Sequence, residues 1–182
     1  FIEELCHAAA ASGSLPAMPK GSGIAWINAL LGSRLSRLPL AQAEILRVAS
    51  VIGNVFSTSL LEKLLGADDL GPTLETLAAQ DFLVADGQPG YVRFKHAMTR
   101  DAVYGTIEPV QRRAVHLRVA VAIESLGVHA DAFDSVEALA YHYDAAGINE
   151  RAAYFAEAVG DKALAAMALD RARGHYIMAL RA

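Results

Sequence analysis

The sequence predicts a mainly α-helical chain with one small β-hairpin. Apolar residues recur at intervals of three and four over most of the 182 residues, which is the spacing of a helical face. Between residues 81 and 95 the pattern changes to two short strand-like runs separated by a turn. The composition, 54% hydrophobic and 20% charged, is typical of a chain that buries a core and excludes a disordered one.

The first 23 residues are predicted to be a helix end and a linker. Residues 1–11 have the pattern of a helix, and residues 12–23 are rich in Gly, Ser and Pro, as in a connector. The chain begins with Phe1 and its C-terminal end carries no helix-stop signal, so we expect it to be a piece of a longer protein.

Two helices are predicted next. The first covers residues 24–38, where apolar residues mark one helical face. The second is expected to begin with Pro39 in the first helical position, where the missing N–H costs nothing. Gly53 follows the last apolar residue of this pattern and is the predicted C-cap.

Two further short helices are predicted from capping signals. Ser57 or Thr58 can cap the third helix, which should stop near Gly66. Asp68 or Asp69 is expected to begin the fourth, because acidic residues at a helix start satisfy free N–H groups and the helix dipole. A metal-binding or acid-pair role for these two aspartates is the less favoured reading.

The hairpin completes a predicted winged helix. Residues 81–85 and 91–95 read as strands, and the Gly- and Pro-containing segment 86–90 reads as the turn between them. Short helices followed by a hairpin occur in this order in winged-helix domains. We therefore expect a winged-helix domain over residues 24–107, with the hairpin as its wing.

The remainder is predicted to be entirely helical. One helix should run from near His96 to about Thr106, and another from residue 110 to 126. Aromatic and small residues at three- and four-residue spacing predict closely packed antiparallel helices over residues 108–182. The pair Phe155 and Ala158 recurs as Tyr176 and Ala179, an offset of 21 residues, which is shorter than the roughly 34 of a tetratricopeptide unit. We therefore expect a helical bundle and an irregular start of tetratricopeptide-like repeats.

Composition and missing motifs exclude several functions. No apolar run reaches the roughly 20 residues that span a bilayer, so we expect no membrane partner and a cytoplasmic location. Cys6 is the only cysteine, which excludes an internal disulfide and a cysteine-based zinc cluster. The sequence also lacks phosphate-loop, dinucleotide-binding, zinc-protease and serine-hydrolase motifs. We predict no catalytic residues, no metal site and no cofactor bound by this chain alone.

Histidines are the candidate site residues. His96 follows the second predicted strand and opens the next helix, where exposed N–H groups and the positive end of the dipole suit a phosphate. Arg93, Lys95 and Arg100 are expected to add positive charge around it. The alternative is a histidine that only caps or packs.

The other histidines are predicted to be structural. His116 lies in a basic run and is expected on a solvated or interdomain face. His142 and His175 lie in helix-packing patterns, where we expect satisfied, semi-buried imidazoles. The six histidines are not expected to form one ligand-spaced cluster.

Charge argues against DNA binding by the winged helix. Residues 57–85 contain one basic residue, Lys63, against five acidic residues, and the whole chain has a net charge of −4. Such a surface repels the phosphate backbone that supplies most nucleic-acid affinity. We therefore do not expect DNA to be a partner.

Five segments in order resemble signal-transduction ATPases with numerous domains, the STAND family, especially bacterial members fused to class III adenylate or guanylate cyclase domains. The segments are residues 1–5 (FIEEL), 31–39 (LGSRLSRLP), 49–53 (ASVIG), 94–104 (FKHAMTRDAVY) and 141–147 (YHYDAAG). The resemblance covers nearly the whole chain and implies the region after the ATPase core: the end of the lid, a winged helix and the first helices of a sensor.

The resemblance also implies a role for His96. The segment around it is similar to the Met-His-Asp motif of related receptors, in which the histidine reaches the ADP phosphate; here Lys95 and Ala97 replace the flanking residues. The implied cofactors of the whole protein are ADP or ATP with magnesium. The implied partners are the ATPase core in the same chain and a protein or small-molecule effector on the helical repeats.

The expected function is thus the regulatory, non-catalytic arm of a nucleotide-dependent switch. Two alternatives stay open: a DNA-binding transcriptional regulator and a helical protein-interaction scaffold without a nucleotide.

Overall fold

The computed structural model describes residues 31–126 and 133–181 of the chain. These residues are mainly helical with one small sheet of three strands, so the predicted fold class is confirmed at this level. The predicted helix end and linker at residues 1–23 and the first seven residues of the helix predicted over 24–38 lie outside the described residues, as do Cys6 and His129. None of the helices in the described ranges is long and apolar enough to cross a membrane.

The elements follow one another with short connections. Residues 31–35 are helical, and the later elements are α1 (Leu40–Ile52), β1 (Val55–Ser57), α2 (Thr58–Leu65), α3 (Gly71–Ala79), β2 (Leu83–Ala85), β3 (Tyr91–Phe94), α4 (Ala97–Gly105), α5 (Pro109–Ser125), α6 (Phe133–Ala146), α7 (Asn149–Ala165) and α8 (Leu169–Arg181).

Capping residues fix the short helix α2 as the sequence predicts. The Ser57 side chain accepts a hydrogen bond from the Leu60 N–H at 3.3 Å, satisfying one of the free donors of the first turn. Gly66 ends the helix in the left-handed conformation, with φ 65°, and its N–H donates to the Glu62 carbonyl. Three leucines on one side of α2 are buried, which is what holds so short a helix in place.

One prediction in this region is corrected, and one strand was not predicted. Helix α3 begins at Gly71, not at Asp68 or Asp69, and both aspartates are exposed in the preceding connection. The Leu70 N–H donates to the Glu62 carboxylate at 3.4 Å, so a side chain of α2 satisfies a backbone donor just before α3. The strand β1, only three residues long, was not predicted at all.

The three strands form one sheet in the order β1-β3-β2. Strands β2 and β3 pair antiparallel, with Leu83 opposite Phe94 and Ala85 opposite Val92. This confirms the predicted hairpin. On the other side of β3, the Phe94 N–H donates to the Asn54 carbonyl at 3.0 Å.

The chain divides into two compact units. The first comprises the described residues up to Val55 together with Gly71–Thr106, and the second comprises Phe56–Leu70 together with the residues from Ile107 onward. In the first unit the buried side chains include Leu31 of the helical residues 31–35 and residues of α1, α3, α4 and the hairpin: Leu46, Val51, Leu77, Leu83, Phe94 and Val103.

The second unit is a series of helices in which each packs on its neighbours. Helix α6 packs against α5, α7 against α6, and α8 against α7, while α2 packs against α5. Its buried residues include Ala120, Leu139, Tyr143 and Ala152, and the Tyr143 ring stacks on Phe155 with centroids 5.7 Å apart. Alanines at these positions let the helix axes approach closely.

Helices α7 and α8 meet at a glycine. A Cβ on Gly160 would lie 2.7 Å from the Cε1 atom of Tyr176, closer than side-chain atoms normally approach. The Tyr176 hydroxyl donates to the Asp161 carboxylate at 2.6 Å. The ring is therefore held over the glycine by its covalent link to α8 at one end and by this hydrogen bond at the other. Gly174, on α8 itself, has open space around it.

This contact predicts opposite effects for two glycine-to-alanine changes. Gly174→Ala should raise the free energy of unfolding by about 0.5–1 kcal/mol, because alanine is the better helix former. Gly160→Ala should lower it by about 1–3 kcal/mol, because the new methyl group displaces the Tyr176 ring and its hydrogen bond. Urea unfolding followed by circular dichroism measures both, and equal stabilisation by the two changes would contradict the close approach.

Candidate functional site

His96 lies at the junction of β3 and α4. Its backbone is extended, with φ −132° and ψ 132°, and it occupies the N-cap position of α4. Its carbonyl accepts from the Thr99 N–H at 2.9 Å and from the Arg100 N–H at 3.4 Å, but its side chain makes no capping hydrogen bond. The imidazole is half-buried beside the positive end of the helix dipole.

Two of the three cations expected around His96 are paired with acids of the hairpin region. The Lys95 ammonium is 2.7 Å from the Asp81 carboxylate, and both side chains are about 70% buried (29% and 28% exposed). The Arg93 guanidinium is 3.6 Å from the Asp86 carboxylate. The expected patch of unpaired positive charge is therefore largely neutralised.

Arg100 joins α4 to α1 within the first unit. Its Nε donates to the Ser50 carbonyl of α1 at 2.7 Å, and its guanidinium lies 4.7 Å from the Tyr104 ring centroid. A second guanidinium nitrogen is 3.1 Å from the Asp101 carboxylate. The hydrogen bond to Ser50 ties α4 to the C-terminal turn of α1.

The structure brings together two histidines that the sequence did not pair. The Nδ1 atoms of His116 on α5 and His142 on α6 are 2.8 Å apart, and both side chains are almost fully buried, at 1% and 2% exposure. The Tyr141 ring packs edge-on against both imidazoles, with centroids 5.5 and 5.1 Å away.

This geometry limits how many protons the two imidazoles can carry. A hydrogen bond between two Nδ1 atoms needs one to donate and the other to accept, so the accepting ring is neutral and carries its proton on Nε2. Two protonated rings would place two N–H donors against each other. The pair therefore holds at most one positive charge while α5 and α6 stay packed as they are.

The expectation that His116 lies on a solvated or interdomain face is wrong. His116 is buried because it shares its side of α5 with Val119, Ala120 and Ile123, at the intervals of three, four and seven that mark a helical face. That spacing was visible in the sequence. The basic residues around His116 concealed it.

His175 anchors α8 to α6 through a carboxylate. Its Nε2 atom is 3.3 Å from the Glu137 carboxylate, which also accepts from Arg171 one turn earlier on α8. The side chain of His175 is 12% exposed, as expected for a semi-buried imidazole. It is only partly satisfied, because its buried Nδ1 atom has no hydrogen-bond partner among the described residues. Its role in the described structure is packing.

A second carboxylate joins α5 to α6 and α7. The Glu124 side chain accepts from the Tyr143 hydroxyl and from Arg151, whose guanidinium lies 5.3 Å from the Tyr143 ring centroid. Burial, and then the hydrogen bond to Glu124, raise the pKa of the Tyr143 hydroxyl. The hydroxyl therefore stays protonated and keeps donating throughout the physiological pH range.

Within the two described ranges, no three or more His, Cys, Asp or Glu side chains are grouped to hold a metal ion. The arrangement at His96 can accept an anion through an imidazole and a helix N-terminus. The pair of His116 and His142 can hold a proton between two helices.

The histidine pair predicts non-additive mutations. His116→Ala and His142→Ala should each lower the free energy of unfolding by about 2–4 kcal/mol, because each leaves a cavity and an unpaired buried nitrogen. The double variant should cost at least about 1 kcal/mol less than the sum. Asp144→Ala, at an exposed position of α6, is the control and should change stability by less than about 0.5 kcal/mol. Additive losses in urea titrations would show that the two rings do not interact.

Comparison with known proteins gives one weak similarity. The chain is 29% identical over 133 residues to Uncharacterized protein R02095 of Rhizobium meliloti (strain 1021), a match that covers 68% of this chain and 13% of that protein. The chain thus spans about an eighth of the length of this relative. No family model matches the chain, and no solved structure matches it.

Proposed function

We propose that this chain is the regulatory, non-catalytic part of a nucleotide-dependent signalling ATPase, in which His96 contacts the phosphate of bound ADP. The observation that carries the proposal is the position of His96 at the N-cap of α4, directly after the hairpin. His96 carries its imidazole at the residue where the free N–H groups of α4 begin, and an imidazole N–H and a backbone N–H are both donors that suit a phosphate.

The element order supports a winged-helix domain around this site. Helix α1, strand β1, helices α2 and α3, and the hairpin β2–β3 follow one another in the winged-helix order, and β3 lies between β1 and β2 in the sheet. The hairpin then corresponds to the wing. Helices α6 to α8, each packed on the one before, correspond to the start of the tetratricopeptide-like sensor.

A switch would follow from differential affinity. If ADP binds only the closed arrangement of the ATPase core and this domain, it increases the population of that arrangement by its binding free energy. A contact from His96 adds only to the binding free energy of ADP in the closed arrangement. An effector bound to the helical repeats acts on the same equilibrium, and all of this takes place in the cytoplasm with magnesium on the nucleotide.

The ion pairs beside His96 limit how strong this contact is. Lys95 and Arg93 already face Asp81 and Asp86, so the phosphate would meet one imidazole and backbone N–H groups, not a basic cluster. A single charge-assisted hydrogen bond contributes about 1.5–3 kcal/mol. That is enough to bias an equilibrium between two arrangements and too little to hold a nucleotide alone.

We expect His96→Ala to lower ADP retention by the full-length protein. Loss of the contact should weaken ADP binding by about 10- to 100-fold, which follows from the free energy above. The measurement is the nucleotide recovered from natively purified protein, quantified by chromatography. Met98→Ala is the matched control, since Met98 is 44% exposed in the same helical turn. Equal retention in the two variants would rule out the role of His96, and no retained nucleotide in wild type would favour an interaction scaffold.

The DNA-binding alternative makes a different prediction. Helix α3, in the position of a reading helix, carries a single charged residue, Glu75, and the connection before it exposes Asp68 and Asp69. We expect no salt-sensitive binding of duplex DNA at submicromolar concentration, because these acids repel phosphates. Fluorescence anisotropy at low salt checks this, and a submicromolar affinity that falls steeply with added salt would favour the transcriptional regulator.

A further inference from the structure

One side of α5 exposes a row of apolar residues. Val110 is 80% exposed, Leu117 37% and Val121 52%, and Ala114 between them is exposed as well. We name these four residues the α5 stripe. They stand on the side of the helix away from His116 and Val119, which are buried at 1% and 0% exposure.

The helix therefore has two apolar sides, and the described neighbours cover one of them. Helix α6 packs on α5 around His116, and α2 packs on it where the Arg118 guanidinium donates to the Leu64 carbonyl. An exposed apolar row of this length is unusual on a helix whose other side already faces the core, and such patches mark interaction surfaces.

The spacing of the stripe is that of a helix-pairing seam. Its four residues are separated by four, three and four positions, the alternation that keeps one side of a helix facing a partner helix. They extend over about 16 Å along the axis. Ala114 in the middle of the row allows a second helix axis to approach closely.

Charge defines the partner. Arg113 and Arg118 are exposed and flank the stripe, one on each side, at the positions that face the flanks of a paired helix. Arg118 keeps its positive charge there, because the Leu64 carbonyl to which it donates is uncharged. No acidic residue occurs from Pro109 to Ile123, although the whole chain has a net charge of −4. Glu124, at the C-terminal end of the stripe, already accepts from Tyr143 and Arg151.

The same charges disfavour pairing with a second copy of this chain. In a parallel pair of α5 helices, Arg113 would face Arg118 of the other copy, because flanking residues five positions apart meet in that arrangement. In the antiparallel pair that overlays the stripe on itself, the two-fold axis brings Arg113 to the same side as Arg113 of the other copy, and Arg118 to the same side as Arg118. Both arrangements place like charges together.

We propose that the α5 stripe docks an amphipathic helix with acidic residues flanking its apolar seam. The apolar row supplies the contact area, and Arg113 and Arg118 select the acidic partner over a neutral or basic one. This interaction is independent of the nucleotide role proposed for His96.

Two synthetic helical peptides test the proposal against the 182-residue chain. Both carry Val and Leu at the seam; one has Glu at all flanking positions and the other has Lys, so neither peptide pairs with itself. Fluorescence anisotropy should show the Glu peptide binding at least tenfold more tightly than the Lys peptide. The double variant Arg113→Glu with Arg118→Glu should reverse this preference, because the flanking charges change sign.

Matched variants distinguish binding at the α5 stripe from nonspecific hydrophobic binding. Leu117→Asp should weaken binding of the Glu peptide at least tenfold, while Leu40→Asp, at a residue that is 85% exposed on α1, should not. Circular dichroism verifies that each variant is folded. Equal affinity for the two peptides, no binding of either, or a dimer of the chain that Leu117→Asp dissociates would each overturn the proposal. Tighter binding to anionic lipid vesicles than to the Glu peptide would do the same.

Discussion

The hydrogen bond between His116 and His142 sets how the helices of the second unit are rotated. Two buried imidazoles meet at 2.8 Å only if α5 and α6 present those residues to each other, since a small rotation of either helix would leave both Nδ1 atoms unpaired away from water. Apolar contacts alone would tolerate such a rotation, because alanines and valines repack with little loss. The pair thus adds a directional contact to the apolar side of α5 that Val119 and Ala120 bury, and the exposed stripe lies on the opposite side.

The later helices are fixed by similar one-to-one contacts. Glu124 of α5 holds Tyr143 of α6 and Arg151 of α7, and Glu137 of α6 holds two residues of α8. Tyr176 of α8 lies on the bare backbone of Gly160 on α7. Each of these contacts joins a specific position on one helix to a specific position on another. Because small residues dominate the interfaces, these polar and aromatic contacts supply the directional information that alanine cannot.

Local features of the fold could be predicted from the sequence. The Ser57 cap, the left-handed Gly66 and the hairpin each depend on a few adjacent residues whose chemistry permits one outcome. Strand β1 was missed because three residues show no period, and its pairing with β3 depends on residues about 40 positions away. The start of α3 was placed too early because Asp68 and Asp69 are good caps in isolation. The hydrogen bond from the Leu70 N–H to the Glu62 carboxylate, eight positions away, could not be predicted from these adjacent residues.

At the candidate site, too, the local feature could be predicted from the sequence and the contacts between distant residues could not. The position of His96 at the start of a helix followed from the sequence, because it depends on the strand before it and the helix after it. The ion pairs of its neighbours did not, since the pairing of Lys95 with Asp81 joins residues 14 positions apart across the base of the hairpin. A site with its cations already neutralised favours a ligand held mainly by other groups, with His96 adding one directional contact. That physical situation suits the proposed sensor better than a binding pocket, because the contact proposed for His96 would report the presence of a phosphate without dominating its affinity.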